Sequence, residues 1–299
     1  MVKRTLSLEE LTEPITLHLQ SLGAFKGAVQ IIADPAIIYP RFILPDNPKF
    51  EEPILDTQNG HVYLTFAASS LATPQISPND SAFPSGKDSV SFIPQDMSST
   101  ADHSYNEQPE GRDWMTAYLP ANSSVIANLR EPVMAFVGLF DKIDVSLLDG
   151  QLGISGSFKE ADARVTCGLI YVREVPSGSI LTTSTGDAQI HVRSFCGRGK
   201  LNSVSGNVRI DSADPEPHAD TTTPTLQIAT MTGNVTYTPA SREAARRISV
   251  RPMYVTVNEE QPPPRRRSAP SMPHPGSTAP PTGTAQPDSR KPPGPSPYQ

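Results

Sequence analysis

Three stretches decide the fold: Thr183-Ser184-Thr185-Gly186-Asp187-Ala188-Gln189-Ile190, Ser203-Val204-Ser205-Gly206-Asn207-Val208-Arg209-Ile210 and Thr230-Met231-Thr232-Gly233-Asn234-Val235-Thr236-Tyr237. Each has Ser or Thr one and three positions before a glycine, then Asp or Asn, then a strand-like alternation. Weaker copies start at Gly150 and Gly168. The five glycines recur at nearly even steps until the last, which is longer because Ser212 to Asp220 is interposed. A period near 20 marks a repeat architecture. Glycine tolerates positive φ, so Thr-Gly-Asp and Ser-Gly-Asn predict tight turns. The residues after each glycine place alternate side chains on opposite faces of a strand. One such unit cannot bury its apolar face, but a stack of them can. The Ser and Thr residues ahead of the glycines predict hydrogen-bonded ladders on the pleated surface.

Working outward, residues 1–66 read as an N-terminal β segment. Ile15 to Leu19, Gly27 to Ile31 and Gly60 to Phe66 alternate at period two, and Pro35, Pro40, Pro45, Pro48 and Pro53 fit turns and strand ends. Residues 67–120 read as a disordered insertion, since Ser, Asp, Asn, Pro and Gln dominate 67–113 without apolar period. The repeat domain spans 121–256, where Ser241 to Arg247 predicts a short helix that closes one end. Residues 257–299 read as a disordered tail in which about a third of positions are Pro. The fold class is therefore mostly β, a repeat β-solenoid-like domain with a disordered insertion and a Pro-rich tail.

The repeat signature resembles the putative-adhesin repeat family, whose domains are built from short repeated strands in a β-solenoid-like arrangement. That resemblance implies no catalytic residues. The layout of repeat body and Pro-containing tail is similar, more weakly, to the bactofilins, which implies end-to-end polymers.

Composition narrows the chemistry. Among 299 residues there are 32 Pro, six His and two Cys, and the formal net charge is −6. An acidic chain with pI near 5.5 argues against a nucleic-acid partner. From Gln261 onward the tail carries five basic residues against one acid, so the rest of the chain is more acidic still. Met1 to Glu10 shows no secretory h-region, and the longest apolar run, Val133 to Phe140, is too short to span a bilayer. These features predict a cytoplasmic chain with two reduced thiols, Cys167 and Cys196.

Candidate chemistry is sparse. Asp211, Asp214, Glu216, His218 and Asp220 form the densest acid–imidazole cluster, with spacing that fits no standard metal site. Cys196 lies among Arg193, Arg198 and Lys200, which would favour a thiolate. His191 reads as an ordinary strand residue. No Gly-x-Ser-x-Gly elbow is present, and no acids are evidently paired on equivalent repeats. Arg267, Pro270 and Pro273 make an Arg-x-x-Pro-x-x-Pro string that in polyproline II form suits an aromatic groove. The reading is a non-enzymatic structural or interaction scaffold without cofactor or metal, with a protein partner or self-association. The alternatives are a polysaccharide-acting β-helix enzyme and a polymerising cytoskeletal protein.

Overall fold

The computed structural model describes residues 4–23, 25, 27–45, 53–66, 114–217, 224–254 and 257–259. Within them the chain is mostly β, with eighteen strands and one short helix. Each sequence repeat supplies a strand before its glycine and a strand after it. The repeat at Gly186 gives β11 (Ile180–Thr185) and β12 (Gln189–Phe195). The repeat at Gly206 gives β13 (Arg198–Ser203) and β14 (Val208–Ala213), and that at Gly233 gives β15 (Leu226–Thr232) and β16 (Val235–Pro239). β11, β13 and β15 stack in parallel register in one column, while β12, β14 and β16 stack in a second. The chain thus winds as a coil of two-stranded rungs. β17 (Ile248–Tyr254) and β18 (Val257–Glu259) add one more rung. Upstream, the long β9 (Val133–Ile154) and β10 (Ser157–Val175) each run through both columns. They pair in parallel, with Ile143 opposite Ala161 and Gly150 opposite Gly168.

Burial follows the pleat. Leu181, Leu201, Leu226 and Ile228 face inward from the first column, and Ile170, Val172, Ile190, Val192, Val208 and Ile210 from the second, all 1% exposed or less. Thr185, Ser203 and Thr230 also face inward and lie in register. Their hydroxyls serve the adjoining corner's backbone, which differs from the expected side-chain ladder. Ser203 Oγ accepts from Gly206 N at 2.9 Å, and Thr230 Oγ1 donates to Thr232 O at 2.8 Å. Most hydroxyls turned into a core find such a partner, and here the corner provides the nearest backbone groups; the buried Thr183 hydroxyl, further from the corner, has none among the described residues.

The glycines also do something other than turn. Gly168 and Gly233 have φ of +125° and +116°, but Gly186 and Gly206 are not among the positive-φ residues. What Gly168 and Gly206 share is contact between rungs. A Cβ on Gly168 would lie 1.8 Å from Gly150 O, and one on Gly206 would lie 1.9 Å from Ala188 O. Gly206 sits over Ala188 and not over Gly186. The register that pairs Ile190 with Val208 fixes the offset of these rungs, and the two glycines stand slightly further apart in sequence than that offset.

The N-terminal strands belong to the same sheet, out of chain order. β2 (Thr16–Ser21) and β3 (Ala28–Asp34) form one rung; β6 (His61–Phe66) and β7 (Trp114–Pro120) form another. β2 lies between β6 and β8 (Ser123–Leu129), parallel to both. β3 lies in the same way between β7 and β9. A rung made early in the chain is therefore sandwiched between two made later. The first end of the coil is covered by antiparallel strands: β5 (Ile54–Gln58) on β6, β4 (Arg41–Leu44) on β7, and β1 (Arg4–Ser7) on β4. Among the described residues, Pro35, Pro40, Pro45 and Pro53 flank these strands; Pro48 lies outside them.

Three expectations change at the boundaries. Residues 114–120 and 257–259, read as the close of the insertion and the opening of the tail, are strands β7 and β18. In β7, Met115, Ala117 and Leu119 alternate into the core at 0% exposure, a period that the polar stretch before it obscures. The expected helix forms as α1 (Arg242–Arg246), with Ser241 Oγ accepting from Ala244 N at 3.0 Å. It does not close an end, because β17 and β18 follow it and continue both columns; it covers a corner, burying Ala244. The remaining residues of the insertion and the tail lie outside the described residues.

Candidate interaction face

In the second column the outward positions line up as well as the inward ones. Tyr171 stands opposite His191, and His191 opposite Arg209. They point outward because Ile170, Val172, Ile190, Val192, Val208 and Ile210 on either side point in. Asp211 ties the row together. Its Oδ2 lies 2.9 Å from His191 Nε2, and its Oδ1 accepts from Arg209 Nε at 2.6 Å. The Tyr171 ring meets the His191 ring edge-on, with centroids 5.3 Å apart. Partial burial pushes the Asp211 carboxyl up, but the hydrogen bonds and charges of Arg209 and His191 together outweigh it and hold the group below the ordinary carboxylate range. Arg193 is exposed at the next outward step. On the other flank, Gln189, Asn207 and Asn234 are exposed, and Asn207 Oδ1 accepts from Asn234 N at 2.8 Å. The result is a flat face with an aromatic–imidazole–guanidinium row and an amide row beside it.

The described members of the acid–imidazole cluster read from the sequence do not converge. Asp211 belongs to the face just described. Asp214 lies 3.8 Å from the Arg247 guanidinium, which also donates to Pro215 O at 2.9 Å. Glu216 accepts from the Ser177 hydroxyl and from Gly178 N, and it faces Arg198 at 3.7 Å. His218 and Asp220 lie outside the described residues. Among those described, no three His, Cys, Asp or Glu stand together as a ligand set. Cys167 and Cys196 are unpaired thiols, and the Arg198 charge expected beside Cys196 is directed at Glu216. Arg267, Pro270 and Pro273 lie outside the described residues.

Glu216 holds the corner at Ser177–Gly178. The Ser177 hydrogen bond, then Gly178 and Arg198, outweigh desolvation and keep its carboxyl below the usual range. A depressed carboxyl contributes stability that is present above its unfolded value and is lost as pH falls through its folded value. Glu216→Gln is expected to melt lower than wild type at pH 7, with the two melting temperatures converging below about pH 4. Calorimetry across that range checks it, and a constant difference at every pH would show that the charge has no part in it.

Two arrangements were not expected from the sequence. Asp144 stands opposite Asp162 on adjacent rungs, an acid pair on equivalent repeats where none was evident. The signal was available, since the two are separated by the same sequence step as Gly150 and Gly168. Asp162 is ion-paired with Arg164, and Lys142 bridges Glu160 beside it at 3.4 Å. The second arrangement joins His18 and His61, whose Nε2 and Nδ1 lie 2.9 Å apart. Burial, and secondarily His61, holds His18 below the ordinary histidine range. No repeat links these two, because β2 and β6 pair through the out-of-order rung.

Together the described residues define a mostly β chain of stacked parallel rungs bearing an ordered polar face; among them no helix is long and apolar enough to cross a membrane. No family model matches the chain, and no curated protein does. Of solved structures, a putative cell adhesion protein from Clostridium sporogenes ATCC 15579 is 9% identical, with a TM-score of 0.35 over 87% of this chain and 99% of that one. A putative adhesin from Parabacteroides merdae ATCC 43184 is 10% identical, with a TM-score of 0.37 over 87% of this chain and 95% of that one. Both likenesses are loose, and neither bears on what this chain binds. Nothing among these matches answers to the bactofilin resemblance.

Proposed function

We propose that this chain is a non-enzymatic, adhesin-like interaction scaffold that presents the second-column face to another macromolecule. The Tyr171–His191–Arg209 row, braced by Asp211, carries this reading. Those side chains stand on rungs spaced about 4.8 Å apart whose inner residues are closed to water, so their positions are fixed before any partner arrives. Preorganised aromatic and guanidinium groups are the kinds that dominate recognition surfaces. Sequence alone adds a second contact, the Arg267, Pro270 and Pro273 string of the tail.

The test is binding of the full chain to panels of immobilised polysaccharides and matrix proteins, beside Arg193→Glu and Arg209→Glu. Reversing a charge within a contact is expected to weaken capture roughly tenfold or more. Capture that ignores both variants would move the function off this face. A second reading, a polysaccharide-cleaving enzyme, is favoured by Asp144 opposite Asp162, since such enzymes use two carboxyl groups across one bond. Release of reducing ends by wild type and not by Asp144→Asn would carry it.

The ends of the coil bear on self-association. Antiparallel strands cover the first end. At the other, Leu226 N donates to Arg247 O at 3.1 Å, so alternate residues Ile248, Val250 and Pro252 turn their backbone outward. Pro252 has no N–H to offer a further strand there, a feature that blunts an edge. Both features work against long end-to-end stacking.

A further inference from the structure

We propose that His18 and His61 form an open two-imidazole chelate for a borderline divalent transition-metal ion, of the Cu²⁺ or Zn²⁺ class. His18 Nε2 and His61 Nδ1 face each other at 2.9 Å across adjacent strands. Two imidazole nitrogens at this separation share one ion, with bonds of about 2.0–2.1 Å, when the ion lies to one side of the line joining them and the rings part by a few tenths of an ångström and turn toward it within their planes. The strands fix both rings. Thr16 pairs with His61 and His18 with Tyr63 in the parallel ladder of β2 and β6, and β5 pairs with β6 on its other side, Gln58 opposite His61. Tyr63 stacks on His18 with centroids 4.3 Å apart and planes 14° from parallel, so the His18 ring cannot swing away without leaving its stack. Imidazole nitrogen suits Cu, Zn and Ni over Mg or Ca, and among these Cu²⁺ binds most tightly. His61 is exposed and His18 partly so, which leaves the remaining coordination positions to water or to a group on a partner.

The proton account closes. With both rings neutral, one N–H lies between the two facing nitrogens. When the ion binds beside them, the ring that carried the proton between the two nitrogens takes it on its other nitrogen instead, and neither imidazole changes charge. The ion is bound without oxidation or reduction.

The site is separate from the second-column face, so its failure leaves the proposed function untouched. The experiment is titration of the full chain with Cu²⁺ and with Zn²⁺ at pH 7.5, by calorimetry, with electron paramagnetic resonance of the Cu²⁺ form. Wild type is expected to take one equivalent more than His18→Gln or His61→Gln, and its Cu²⁺ spectrum to show two equatorial imidazole nitrogens. Either variant removes the chelate and should weaken this site about 100-fold or more, while His274→Gln leaves it unchanged. A wild-type spectrum with one such nitrogen, or a stoichiometry and affinity that survive His61→Gln, overturns the proposal. The spectrum of wild type decides the matter even if a variant folds poorly.

Discussion

Gly168→Ala is expected to lower stability by about 3 kcal/mol or more, among the largest effects of a single methyl group in this chain. Two costs coincide at this position. The residue holds φ at +125°, where a left-handed conformation costs an L-residue about 1–2 kcal/mol. Its new Cβ would also meet Gly150 O at 1.8 Å, and that oxygen is backbone, so the rungs themselves must part. Two other glycines separate the costs. Gly178 has φ +84° and nothing within 4 Å of a built Cβ, so Gly178→Ala should cost only the conformational term. Gly206 has the contact, 1.9 Å from Ala188 O, without positive φ, so Gly206→Ala isolates the separation of rungs. Urea unfolding of the three variants orders them Gly168 above Gly206 above Gly178. If Gly206→Ala proved as mild as Gly178→Ala, the close approach of rungs would be wrong.

This series also shows what the sequence can and cannot express. The period of the glycines was legible and located the corners, because only glycine fits where successive backbones nearly touch. The reason was not, since a glycine reads alike whether it serves a turn or a contact with the neighbouring rung. Register was legible from Gly150 to Gly168, which stand opposite each other, and that is how Asp144 and Asp162 could have been matched. It was lost at the next two steps, because the glycine spacing departs from the register that sets Leu169 opposite Gln189 and Ile190 opposite Val208. The Tyr171–His191–Arg209 row required knowing both the register and the outward phase. Asp211 is harder still, because it lies one outward step beyond Arg209, the residue that pairs with His191. His18 and His61 lay beyond any counting, because chain order and rung order part company at β2 and β3.

That departure from chain order predicts the largest effect of all. Removing residues 1–40 should abolish cooperative folding of the whole N-terminal half, although a terminal segment of a repeat protein is ordinarily dispensable. The lost rung is internal. Leu17, Leu19, Val29, Ile31 and Ala33 are 1% exposed or less, and they pack between the β6–β7 rung on one side and the β8–β9 rung on the other. Each such large side chain contributes about 1.5–3 kcal/mol on burial, so four of them rival the ~5–15 kcal/mol total of an ordinary domain. Their removal also leaves two inner faces without a neighbour. Two companion deletions sharpen the result. Replacing 67–113 by a short corner should preserve folding, because residues 130–132 make the same connection between β8 and β9 on a nearby rung. Ending the chain at Arg247 should cost much less than the N-terminal deletion, since Ile248 and Val250 are only partly buried and lie at an end of the stack. Circular dichroism melts and limited proteolysis compare the three. A cooperative melt in the chain lacking residues 1–40 would show that β2 and β3 lie outside the stack, and the sandwiched rung would then have to be abandoned.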